Sequence, residues 1–287
     1  MRWLEALLVR LGFGLLGWLS PERASNLGGA VARAIGPWLP VSRVADANLR
    51  RAWPAMTKQQ RQAVIGDVWE NLGRTVGEMP HVASLGATTS GPGWEIEGIE
   101  FLAGVTGAAV LFSAHLGNWE VMPRIAAVHG AGLATFYRAA DNPAVDAVIV
   151  GMRGRATAGQ PQFAKGAAGA RLALAHLHAG GRLGLLADQK MNDGIAAPFF
   201  GRMAMTASAP ATLALRFNCP LIPGHCIRIG PARFRVRLEP PLVHPATGDR
   251  ARDVAELTSA MNAAIERWVR ETPGQWLWLH RRWPKEK

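Results

Sequence analysis

Cysteine is scarce in this chain: Cys219 and Cys226 are the only two in 287 residues, and no CxxC pair occurs. That argues against a disulfide framework and against a zinc ribbon, and leaves two buried thiols in a reducing compartment as the ordinary reading. Tyrosine occurs once, against eleven tryptophans. No Ser/Gly/Pro-rich linker divides the chain and no internal repeat is found, which favours one large domain with an N-terminal accessory. Catalytic signatures are missing too. There is no GxSxG elbow to supply a serine nucleophile, no HExxH zinc helix and no GxxxxGK[ST] phosphate loop. No RNA-recognition consensus is present, and no His/Cys/Asp/Glu grouping suggests a metal.

A long uncharged apolar run is also lacking. Residues 3–19, WLEALLVRLGFGLLGWL, carry Glu5 and Arg10. Seventeen helical residues rise about 25 Å, short of a hydrocarbon core of roughly 30 Å. Ser20-Pro21-Glu22-Arg23 follows rather than a small-x-small cleavage site, so a signal peptide is not the expectation. The expectation is a membrane-associated helix over residues 1–20 that lies in the interface or inserts shallowly. A short transmembrane anchor and an ordinary core helix are the alternatives. Residues 21–287 are then expected to form a single α/β domain with a helical lead-in over 21–90.

What is present begins with charge. The formal net charge is +11, which suits a polyanionic partner such as nucleic acid, an anionic bilayer or an acidic carrier protein. Several tryptophans adjoin cations, as in Arg2-Trp3, Arg267-Trp268 and Arg282-Trp283. Such pairs fit a membrane interface, and the C-terminal group is expected there in preference to the core.

Hydrophobic periodicity gives the architecture. Ser20-Pro21-Glu22 and Thr57-Lys58-Gln59-Gln60 read as helix starts, the second as a capping box. After a loop at 86–93 the pattern changes. Trp94–Glu97 alternates like a strand, and Ala108–Ser113 is a short apolar run of the kind buried on both faces of a sheet. Further strands are expected at 132–137, 181–187, 221–229 and 234–238. Helices are expected at 117–129, 142–154, 166–179, 207–217 (capped by Thr206) and about 252–270. This alternation predicts a mixed, largely parallel central sheet with helices on both faces.

At the end of the buried strand stands Phe112-Ser113-Ala114-His115-Leu116-Gly117-Asn118-Trp119-Glu120. Ligands of open α/β sheets sit beyond the carboxyl ends of strands. Gly117 permits a tight turn, and Glu120 falls in the first turn of the next helix, where the dipole favours a carboxylate. A carboxylate on one imidazole nitrogen fixes the tautomer and makes the other a better base. A His with a Glu five residues on also arises by chance, so the residues alone leave catalysis and an ordinary polar turn both open.

This segment carries the HX4D/E signature and resembles the glycerolipid acyltransferase superfamily. Its longer form, HLGNWE, is similar to the lipid A late acyltransferases. The resemblance spans nearly the whole chain, through Val44–Pro54, Asn71-Leu72-Gly73-Arg74-Thr75, Tyr137–Pro143, Leu186-Ala187-Asp188-Gln189, Pro198-Phe199-Phe200-Gly201 and Gln275–Trp283, in the family's order. It implies acyl transfer from acyl carrier protein to a hydroxyl of an anionic glycolipid, a lipid A precursor, at the cytoplasmic face of the inner membrane. No covalent enzyme intermediate, cofactor or nucleic acid is implied. His115 would be the general base and Glu120 its orienter. Arg155, with Arg153 next, is the candidate for the oxyanion or a substrate phosphate. Arg138 could bind a phosphate or close the Asp141 turn. Asn118, Asp188 and Gln189 would support the site or satisfy turns. Phe199 and Phe200 would line an acyl groove or pack a loop. HLGNWE is also similar to transferases acting on phosphatidylinositol mannosides or other glycolipids, so an acyltransferase of another glycolipid, or of a lysophospholipid, is the alternative. A hydrolase using the same residues, and a non-catalytic basic membrane- or RNA-binding module, are the remaining readings.

Overall fold

A computed structural model describes residues 2–284. Four helices come first: α1 (Arg2–Trp18), α2 (Pro21–Ile35), α3 (Ser42–Ala52) and α4 (Lys58–Glu78). The starts of α2 and α4 follow their sequence signals. The Ser20 side chain accepts from the Arg23 amide, and Thr57 and Gln60 form a reciprocal capping box. α2 lies against α4 with backbones nearly touching. A Cβ added at Gly73 would fall 2.2 Å from the Gly28 carbonyl oxygen, so this crossing needs glycine.

The remainder is built on a seven-stranded sheet. In chain order its elements are β1 (Gly93–Glu97), α5 (Glu100–Ala103), β2 (Ala109–Ser113), α6 (Val121–Val128), β3 (Leu133–Tyr137), α7 (Pro143–Ala156), β4 (Gln162–Ala164), α8 (Ala167–His178) and β5 (Arg182–Leu186). A separate hairpin, β6 (Lys190–Phe199) and β7 (Arg202–Thr206), precedes α9 (Ala209–Phe217), β8 (Leu221–Gly230), β9 (Arg233–Leu238) and α10 (Arg250–Glu271). The strand order is β1-β9-β8-β2-β5-β3-β4. β8, β2, β5, β3 and β4 run parallel, and β9 and β1 run against them. The fold is the expected mixed, largely parallel sheet with helices around it and a helical lead-in.

β2 lies inside this sheet and is buried along its whole length. Val110 and Phe112 join one core cluster, Ala109 and Leu111 the other. That division explains why the sequence shows no polar alternation there. β4 and the β6–β7 hairpin fall outside the expected strands. β4 has three residues and gives no period, and the hairpin's polar stretch Lys190–Gly194 contains a register shift.

The tryptophans divide differently from the expectation. Trp268, Trp276, Trp278 and Trp283, expected at a membrane surface, are buried. Trp276, Trp278 and Trp283 pack with Trp53, Phe199 and Phe200 into an aromatic cluster under the C-terminal segment, while Trp268 stacks on Phe112 and His225. The physical reason is area: an indole removes more apolar surface from water than any aliphatic side chain, and here four meet partners. Residues 285–287, the tail of that expected bilayer contact, lie outside the described residues. The exposed indoles are N-terminal: Trp3, Trp18 and Trp38 are 71%, 88% and 87% exposed. No helix among the described residues is long and apolar enough to cross a membrane. α1 rests on the protein through its polar groups. The Asn142 amide donates to the Arg2 carbonyl and to Glu5, and the His81 ring donates to the Leu16 carbonyl.

Candidate active site

His115 and Asp188 stand just past the carboxyl ends of neighbouring parallel strands. Ser113 of β2 pairs with Leu186 of β5, and the Ala187 amide donates to the Ser113 carbonyl. This register carries the two side chains to one place. Asp188 Oδ1 lies 2.8 Å from His115 Nδ1, and its Oδ2 accepts the His115 amide at 2.9 Å and the Trp276 indole N–H at 2.7 Å. The carboxylate is fully buried. Burial alone would raise its pKa. The imidazole of His115, His280 nearby and the main-chain N–H outweigh that and hold it well below the usual carboxylate range. An ionised carboxylate only accepts, so His115 carries its proton on Nδ1 and offers the Nε2 lone pair. That nitrogen has no hydrogen-bond partner among the described residues, and the side chain keeps 17% exposure.

The carboxylate bonded to the His115 ring is therefore Asp188 and not Glu120. Both Glu120 oxygens are taken by Arg153, at 2.8 Å to Nε and 2.6 Å to Nη2, and the Trp119 indole lies 3.2 Å from Oε1. The fork of the guanidinium matches a carboxylate with two parallel bonds, which a single imidazole N–H cannot offer. Burial works against the Arg153 cation, but Glu120 more than compensates and its pKa is raised. Its Nη1 is left without a bond among the described residues. Trp119 presents its ring edge-on to His115, with centroids 5.0 Å apart, so His115 and the Glu120–Arg153 pair flank one indole.

Glu120 also falls outside the helix that was expected to begin near residue 117. α6 starts at Val121 and Glu120 precedes it. The reason is that the turn bonds to other segments. The Gly117 amide donates to the Gln275 carbonyl, and the Leu277 amide to that of His115. Gly117 has φ of +57°, and a Cβ there would lie 2.3 Å from the Cys226 carbonyl oxygen. The tight turn read from the sequence is thus real, and it is glycine-dependent.

The other predicted residues separate clearly. Arg153 reaches the site, whereas Arg155, favoured from sequence, is exposed at the end of α7. Two positions apart on a helix, the pair cannot share a face. Arg138 and Asp141 are both exposed and form no ion pair with each other. Gln189 is half-buried and makes no hydrogen bond among the described residues. Asn118 is buried, accepts the Glu120 amide at 3.1 Å and donates to Glu78 at 2.8 Å. Phe199 and Phe200 do not line an open groove: both are buried, their rings 4.9 Å apart within the tryptophan cluster. Trp276 and His280 escaped the sequence reading as site residues. His280 lies 6.5 Å from the His115 ring and 5.4 Å from that of Trp276. Both belong to the Gln275–Trp283 stretch that carries part of the resemblance.

An imidazole held by a buried carboxylate at strand ends, beside a guanidinium with a free N–H, has the chemistry to take a proton off a hydroxyl and to meet a developing negative charge. The family model described as bacterial lipid A biosynthesis acyltransferase matches residues 1–285, and the chain belongs to that family. The protein is an acyltransferase of lipid A biosynthesis. Comparison with individual curated proteins gives no match.

Proposed function

We propose that the protein moves a fatty acyl group from the thioester of an acyl carrier protein to a hydroxyl of a lipid A precursor, directly and at a membrane surface. The single observation carrying the mechanism is the Asp188–His115 bond, which leaves Nε2 as a free base where a substrate can reach it. Nε2 takes the proton as the acceptor oxygen attacks the thioester carbonyl. Asp188 stabilises the imidazolium that forms. Arg153, gripped by Glu120, offers Nη1 to the tetrahedral oxyanion or to an acceptor phosphate. Collapse of the intermediate expels the pantetheine thiolate, which takes back the proton from Nε2.

Acyl carrier protein and lipid A precursors are both anionic, which agrees with a net charge of +11. The apolar residues exposed on α1 and the Leu27, Val31 and Ile35 stripe of α2 supply a surface that a bilayer would cover. Purified protein, acyl carrier protein charged with a fatty acid and Kdo-bearing lipid A precursor test the reading. Mass spectrometry should show the acceptor heavier by one acyl group. Free fatty acid with an unchanged acceptor would instead indicate hydrolysis, and transfer only to a different glycolipid would overturn the choice of acceptor.

A further inference from the structure

Glu78, the last residue of α4, holds a carboxylate with no solvent exposure. It accepts from Ser25 Oγ at 2.6 Å, Asn118 Nδ2 at 2.8 Å and the Ala232 amide at 3.1 Å, and it pairs with Arg228 of β8. Burying such a pair gains little stability over apolar residues of the same volume. What distinguishes this one is where its hydrogen bonds lead.

Facing a carboxylate, the Asn118 amide must present its NH2 group. Its oxygen is thereby turned to the Glu120 N–H, 3.1 Å away. From the other end, Arg228 Nε donates to Asn71 Oδ1 at 3.0 Å, which obliges the Asn71 NH2 to face the other way. That group donates to the Gly117 carbonyl at 2.8 Å and the Gln275 carbonyl at 3.1 Å. Arg228 Nη2 lies 3.2 Å from the Thr75 hydroxyl, which reaches the same Gly117 carbonyl. Two buried charges thus dictate the sense of two amides, and those amides hold the main chain on both sides of Asn118. We infer that Glu78 and Arg228 are positioning residues for the reaction: through Asn118 and Asn71 they fix how Glu120, and the Arg153 it grips, face His115. The inference rests on the reading that Glu120 and Arg153 act at the reacting centre.

The direction of the Glu78–Asn118 hydrogen bond makes a test possible. Asn118→Asp sets two carboxylates against each other. Adding Glu78→Gln restores the contact with donor and acceptor exchanged, and residue 118 keeps an oxygen for the Glu120 amide. Expected for Asn118→Asp is a fall in kcat of about thirtyfold, with KM for both substrates within about twofold, and recovery in the double variant to within about fivefold of the unaltered enzyme. Asn118→Ala, which cuts the link without adding charge, should lower kcat about tenfold if the aspartate variant folds poorly. Amide hydrogen exchange at Glu120, read without substrate, should be faster in both single variants and slow again in the double one. Either of two results overturns the inference: Asn118→Ala with unaltered kcat and Glu120 exchange, or a folded double variant no better than Asn118→Asp in both readouts. Failure of the unaltered protein to transfer acyl groups counts against the acyl-transfer reading instead, and the Glu120 exchange data still decide the positioning.

Discussion

His115 takes its orienting carboxylate from a residue 73 positions further along the chain, while the carboxylate five positions away serves an arginine. This distinction sets what each substitution should do. His115→Ala removes the base and should lower kcat by about 10²–10⁴-fold in an acyl-transfer assay, with the fold retained by circular dichroism. Asp188→Asn should cost nearly as much, because a neutral amide no longer requires the proton on Nδ1 and no longer stabilises the imidazolium. Glu120→Ala leaves Arg153 ungripped; we expect near loss of turnover while the His115 ring stays in place. Near-normal rates for Glu120→Ala would show that Arg153 needs no partner. The site was partly legible. Asp188 could be placed at a strand end on the His115 side, but its direct bond to the ring depends on β2 and β5 being neighbours in register, which spacing along the chain does not reveal. Arg153 and Arg155 could not be ranked without the helix's rotation.

Among the elements, those with a local physical cause were readable. The Thr57 capping box, the proline start of α2 and the all-apolar β2 each follow from a few adjacent residues. The C-terminal tryptophans did not, since whether an indole faces lipid or core depends on the partners that α3 and the β6–β7 hairpin bring to it. The β8–α10 contact supplies a stability prediction. His225 of β8 is buried, stacked on Trp268 at 4.7 Å, with Nδ1 3.9 Å from Glu239. Burial pushes its pKa down from 6.5 to about 4, against the pull of Glu239. Above about 6.5 the ring is neutral in both states. Between about 6.5 and 4 the unfolded chain binds a proton that the folded protein does not, so stability falls as pH falls across that window, by about 3 kcal/mol in all. Urea unfolding at a series of pH values should show this slope, and His225→Phe, which keeps the stacking, should flatten it.

For the whole molecule, the decisive asymmetry is that the exposed large apolar side chains gather on α1, α2 and the following turn, where Trp18 and Trp38 stand out. Joint replacement of Trp18 and Trp38 by Ala should weaken binding to anionic lipid vesicles by at least about tenfold, without changing thermal unfolding, because neither ring is packed in the folded protein. Higher salt should weaken binding as well, through the cationic excess. Replacing the C-terminal Trp276 and Trp278 should do the reverse: unfold the protein and say nothing of lipid. These scales meet in the proposed reaction, in which a base poised by Asp188 moves an acyl chain between two anionic substrates. The most direct test is single-turnover mass spectrometry with acyl carrier protein thioester and Kdo-lipid A precursor, comparing the unaltered protein with Asp188→Asn. The expected result is an acceptor heavier by one acyl group in the first and almost none in the second. Equal acylation by both would rule out a base that depends on Asp188.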